Sequence, residues 1–184
     1  MKHSILALLF LIATACSVLT KPKSSALHDF GYPYSIPSST MIRLTQHPPI
    51  TVEAPKWLAD NRIHYRLLYA NPTQVRFYTL DRWIASPAEL FEQLLLSNLK
   101  LEIVPVNIQL HVFEQQFISS TQANVIMHFT VATVPDDKNQ KSIERDFHLQ
   151  APCLTPDAKG AVSAFNKLTR QAVDKVQAWL LEAL

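Results

Sequence analysis

The chain has 184 residues, 17 basic against 15 acidic side chains, and 48% hydrophobic residues. It is long enough for one ordinary domain with a tail and apolar enough to fill a core, and its near-neutral charge argues against nucleic acid as a partner. Two glycines, Gly31 and Gly160, are too few for a phosphate-cradling loop, a dinucleotide fingerprint or a Gly-x-Ser-x-Gly nucleophile elbow.

The chain opens with MKHSILALLFLIATAC. Lys2 and His3 give a basic start, Ser4 to Ile12 is apolar, and Ala13-Thr14-Ala15 is a patch of small residues, the order of a secretory signal. The apolar run is shorter than the roughly 20 residues a membrane helix needs. Ala13-Thr14-Ala15-Cys16 resembles a bacterial lipobox, in which cleavage precedes Cys16 and that cysteine carries the lipid. Ala13 stands where such motifs usually have leucine. Cys16 is therefore the expected lipidation site, and Cys153 is left without a partner. No cation neighbours Cys153 in sequence to lower its pKa, so it reads as an apolar side chain rather than a reactive thiolate.

Residues 16–40 are rich in Ser and Pro and read as a lipidated, extended tether, with the domain occupying 41–184. The aromatic residues Phe30, Tyr32 and Tyr34 leave open that part of this tether docks on the domain. Met41 to Gln46 and Ile50 to Glu53 have the composition of two short strands. Alternation over 62–69 and 74–80, around Asn71-Pro72, predicts a hairpin. Ser86-Pro87-Ala88-Glu89 starts a helix twice over, as a capping box and as proline at the first position, and the helix should reach Leu99. Val106 to Phe113, Ala123 to Val134 and Ser142 to Gln150 form an antiparallel meander. Its apolar face should carry Ile108, Leu110 and Val112, then Val125, Met127, Phe129 and Val131, then Ile143, Phe147 and Leu149. Thr155-Pro156-Asp157 repeats the cap-then-proline signal before a long helix burying Ala161, Phe165, Leu168, Ala172, Val176, Trp179 and Ala183. Gly160 near its start should cost about 1 kcal/mol relative to alanine. The fold class is α+β: a two-layer domain, an antiparallel sheet covered on one face by two helices.

Three candidate sites follow. If Leu110 faces Phe129 and Phe129 faces Phe147, then His111, His128 and His148 share the polar face. Imidazoles on adjacent strands suit zinc, but no ligand-type spacing accompanies them. An ordinary polar face, solvated or in contact with another subunit, is the preferred reading, and no metal is expected. Ser, His and Asp occur without a motif that would arrange a nucleophile and base, Asp136-Asp137 reads as an exposed turn, and no catalytic residue is assigned. Arg76, Tyr78, Arg82 and Trp83 mix cations with aromatics as partner-binding patches do, and equally as a strand with core aromatics would.

Arg62-Ile63-His64-Tyr65-Arg66, Val75-Arg76-Phe77-Tyr78 with Arg82-Trp83, Pro87 to Leu99, Val112 to Phe117, and Gln177-Ala178-Trp179-Leu180 together resemble the ABC-type transport auxiliary lipoproteins, the family that includes paraquat-inducible protein C. That family's tyrosine-leucine strand near the mature start would fall at Tyr32 to Ile36. The resemblance implies a non-enzymatic lipoprotein without cofactor. It would be anchored in the outer membrane facing the periplasm and act as docking subunit of a mammalian-cell-entry-type ABC system for intermembrane lipid transport. The permease and ATPase would be separate chains. Ser17 after Cys16 favours outer-membrane sorting, and a triacylated cysteine supplies the several acyl chains lasting anchorage needs. The alternative is a stand-alone ligand-binding or outer-membrane-assembly lipoprotein. Association of copies, through a sheet edge or the histidine face, is open.

Overall fold

Strands that alternate in sequence alternate in space, and they set the frame of this protein. The structure, a computed structural model, describes residues 24–31, 50–99, 105–135 and 141–183. In chain order these are β1 (Ala26–His28), β2 (Ile50–Glu53), a 3-10 turn (Lys56–Leu58), β3 (Arg62–Leu67), β4 (Asn71–Trp83), α1 (Pro87–Asn98), β5 (Val106–Phe117), β6 (Ala123–Thr133), β7 (Glu144–Pro152) and α2 (Ala158–Ala183). Seven strands make one sheet in the order β1-β4-β3-β5-β6-β7, with β2 paired to β5. Two helices pack on that sheet, giving a two-layer α+β fold.

The meander is antiparallel in the expected register, with Leu110 opposite Phe129 and Phe129 opposite Phe147. The sheet as a whole is mixed, which corrects the all-antiparallel expectation: β1 runs parallel to β4, and both β2 and β3 run parallel to β5. Ile50–Glu53 pairs the start of β5 and Tyr65–Leu67 its end, so β2, the 3-10 turn and β3 lie end to end along one edge of it. The reason is connectivity. The hairpin partner β4 takes the far side of β3 and brings the chain back, and α1 then bridges from the end of β4 to the start of β5, which therefore runs in the direction of β3.

Both helices cover the same face. Phe91 of α1 meets Phe129 edge-on at 5.4 Å, Phe165 of α2 stacks on Phe113 at 4.0 Å, and Trp179 of α2 meets Phe147 at 6.2 Å. The start of α1 is as its sequence dictates. Glu89 N–H donates to Ser86 Oγ, Ser86 N–H donates to Glu89 Oε2, and Pro87 fills the first position; such a cap contributes about 1 kcal/mol. Helix α2 departs from its forecast. Asp157, not Thr155, is the cap, accepting from Gly160 N–H at 2.7 Å, while Thr155 Oγ1 donates to the same carboxylate oxygen. A Cβ on Gly160 would collide with the Thr155 main-chain carbonyl. Glycine is therefore needed where helix propensity alone counts it as a weakness.

Part of the 16–40 tether docks on the domain, the possibility its aromatic residues left open, and adds a strand that the sequence did not announce. Ala26–His28 pairs with Asp81–Trp83, and Phe30 is buried against Trp83 and Phe113 at 5.2 and 5.4 Å. Asn166 Nδ2 donates to Phe30 O, and Arg170 donates to Gly31 O; Gly31 has a φ of 68°, a conformation that favours glycine. Burial of one large aromatic outweighs the extended, Ser/Pro-rich character of its neighbours. The forecast strands at Met41 to Gln46 and Tyr32 to Ile36, and the turn holding Asp136-Asp137, lie outside the described residues. Two meander residues change place. A one-residue bulge at His111 sets Val112 opposite His128 and brings Phe113 into the core, and Ile143 lies exposed before β7.

Candidate site on the uncovered sheet face

In an antiparallel pair, residues directly opposite share a face. His128 lies opposite His148, and the rings stack at 3.7 Å; the bulge leaves His111 on the same side, its ring 4.8 Å from His128. The expected histidine face therefore forms. Opposite Asp146 on the neighbouring strand is Thr130, whose hydroxyl donates to Asp146 Oδ1 at 2.5 Å and contacts His111 Nε2 at 2.8 Å. The hydroxyl has one proton, given to the carboxylate, so His111 Nε2 is the donor of the second bond and its neutral form carries its lone pair on Nδ1. The Thr130 hydrogen bond holds the Asp146 carboxyl below its usual range. His128 is held below the ordinary histidine value by desolvation, and then by its two histidine neighbours, with Asp146 opposing. Among the described residues its Nε2 is buried without a hydrogen-bond partner.

The centre of the same face is a built polar network, not a solvated surface. Glu114 is 2% exposed. Arg66 Nε donates to both its carboxylate oxygens at 2.8 Å, and Gln116 Nε2 adds a third bond. Arg66 also donates to Pro72 O and Thr73 O, tying the start of β4 across the sheet. Beyond it, Arg62 lies 4.4 Å over the Phe77 ring and His64 is buried beside Trp57 and Asp60. Charges held this way are costly to separate, because removing one partner strands the other.

The four partner-binding candidates do not converge. Trp83 is 1% exposed and packs edge-on against Phe30, Phe113 and Phe165, so it is a core residue and not a contact residue. The Tyr78 hydroxyl points inward and donates to Gln115 Oε1 at 2.8 Å; burial, then Tyr65, pushes its pKa up. Arg76 is half-buried on Gln74 of its own strand, and Arg82 is half-buried opposite Arg62. What β4 does expose is Val75, Phe77 and Leu80. Among the described strands only β1 pairs its outer edge, and only at Asp81–Trp83. Cys153 is half-buried, its Sγ accepting from Gln115 Nε2, and burial raises its thiol pKa, as an unreactive cysteine requires. Cys16 lies outside the described residues.

Sequence reasoning missed Asp146, Thr130, Arg66, Glu114 and Gln115. Asp146 and Thr130 had a readable signal, since each stands two residues from a histidine, His148 and His128, and so shares its face in any strand.

No protein-family model matches the chain, and no curated protein sequence matches it. Solved structures share the fold. The crystal structure of protein XCC0632 from Xanthomonas campestris, described with the DUF330 family model, superposes with a TM-score of 0.63 at 15% identity, covering 73% of this chain and 85% of that one. The crystal structure of an uncharacterised protein superposes at 0.61 with 12% identity, covering 84% and 97%. At such identities the likeness extends to the fold.

Proposed function

We propose that this chain is a non-enzymatic lipoprotein, anchored through Cys16 in the outer membrane and facing the periplasm. There it acts as a docking subunit for a mammalian-cell-entry-type ABC system that moves lipid between membranes. The observation that carries this reading is how the space between the layers is used. Phe30, Trp83, Phe91, Phe113, Phe129 and Phe165 fill it, each nearly or fully buried. A lipid carrier needs room between sheet and helices, and here that room is taken by side chains packed ring on ring. Binding is thereby left to the outside of the domain, which favours an adaptor over a stand-alone lipid-binding protein.

The open edge of β4 is the docking element that fits best. Among the described residues it offers main-chain groups without a strand partner beside exposed Val75, Phe77 and Leu80, a combination suited to strand addition by a partner chain. Arg76 and Arg82 flank it, while Tyr78 and Trp83 support it from within. A photo-crosslinking residue at Phe77, in cells, should capture a mammalian-cell-entry-type subunit or its permease. Recovery of no transporter subunit would count against docking there. For the anchor, Cys16→Ala should abolish palmitate labelling and leave uncleaved or mis-sorted protein; labelling at the normal level would end the lipobox reading.

A further inference from the structure

We propose that His111, His128 and Asp146 form a binding site for one borderline divalent metal ion of the zinc class. Each residue offers one ligand atom, and these atoms all lie within 4.8 Å of one another. In a tetrahedral zinc site, bonds of about 2.0–2.1 Å place ligand atoms roughly 3.3 Å apart. Asp146 is an exposed side chain on β7, so at its end of the cluster the remaining contraction can come from side-chain rotation.

The surrounding groups act as supports of a metal site do. Thr130 bonds both His111 and Asp146, orienting two ligands through one hydroxyl. His148 stacks on His128 and fixes the plane of that ring. Among the described residues His128 Nε2 is a buried polar atom with no bonding partner, and a metal ion would satisfy it. Two imidazoles with one carboxylate select zinc, nickel, copper or cobalt over magnesium and calcium, which take oxygen ligands. The three ligands come from three strands, which is why no ligand spacing marks them along the chain. The remaining coordination positions face the uncovered side of the sheet, where water or a partner's side chain can enter.

The test uses the full chain without a histidine tag, purified in detergent and stripped with chelator. Zinc chloride alone is titrated calorimetrically, and cobalt is followed by its visible absorption. One ion per chain is expected, with a cobalt spectrum of low-symmetry, four- or five-coordinate type. Asp146→Asn and His128→Gln should abolish binding, and Thr130→Val should weaken it roughly tenfold or more. His64→Gln, at a buried histidine outside the cluster, should leave binding unchanged. Circular dichroism and the thermal midpoint report folding; Asp146→Asn, at an exposed edge position, keeps the test decisive if His128→Gln does not fold. Absence of binding by the unmodified chain, or wild-type affinity in a folded Asp146→Asn or His128→Gln chain, overturns the proposal. Either outcome leaves the docking reading standing, since this experiment involves no membrane and no transporter.

Discussion

Trp83 separates a packing role from a binding role, and the structure sets how large the difference should be. The indole is 1% exposed and has three edge-on partners, Phe30 at 5.2 Å, Phe165 at 5.7 Å and Phe113 at 6.0 Å. Truncating a buried Phe or Trp to alanine costs about 3–5 kcal/mol through lost transfer energy and the cavity left behind. Each well-placed aromatic pair contributes about 0.5–1.5 kcal/mol beyond its buried area, which places Trp83→Ala in the upper part of that range, about 4–5 kcal/mol. Against a total stability of about 5–15 kcal/mol this is a large fraction. At about 2–4 °C per kcal/mol for a domain of this size, the thermal midpoint should fall by roughly 10–15 °C. The assay is thermal denaturation of the purified chain followed by circular dichroism. Trp83→Phe, which keeps a ring in the cluster, should recover most of the loss. The N-terminal strand should loosen in the alanine variant, because Phe30 loses its nearest ring, and amide exchange at Ala26–His28 would report it. A midpoint within about 2 °C of wild type, the range of ordinary surface substitutions, would refute the reasoning and return Trp83 to the list of contact residues.

Two further predictions test the corrected helix start and the buried polar face. Gly160→Ala would ordinarily stabilise a helix by about 1 kcal/mol, but here the new Cβ meets the Thr155 carbonyl and disturbs the Asp157 cap. A loss of about 1–3 kcal/mol is expected from the urea midpoint, and any gain would contradict the geometry. His64 is held below the ordinary histidine value by burial, with Asp60 and Glu114 opposing and Arg62 and Arg66 reinforcing. The unfolded chain therefore takes up this proton first. The stability His64 contributes is complete above its unfolded value of about 6.5 and is lost as pH falls towards its lower folded value, at no more than about 1.4 kcal/mol per pH unit. Urea denaturation at about pH 7.5 and about pH 5.5 should show a larger loss for wild type than for His64→Gln; equal losses would dispose of the claim.

Features encoded by neighbouring residues were legible before any coordinates. Ser86, Pro87 and Glu89 are within one turn of each other, and the helix begins where they place it. Alternation in β6 and β7 set Phe129 and Phe147 on one face and His128 and His148 on the other, because one buried face admits only one parity of register, and the sheet then sets each pair directly opposite. Features that depend on distant residues were not legible. Nothing local marks Ala26–His28 as a strand; its place comes from Trp83 and Phe113, which receive Phe30, and from Asn166 and Arg170, which bind the chain around Gly31. The alternation of β5 read smoothly through Val112, and the extra residue at His111 shows only against its partner strand.

The sequence alone therefore determined an α+β domain, the capped helix, the meander and a face carrying three histidines, all products of short-range pattern. Tertiary structure alone decided that the sheet is mixed, that Trp83 is core, that Glu114 is a buried charge under Arg66, and that Asp146 and Thr130 complete the histidine cluster. The physical reason is the range of the interactions. Caps and alternation act over a few residues of one chain segment, whereas strand order, burial of a charge and convergence of ligands are properties of segments that meet only after the sheet has formed.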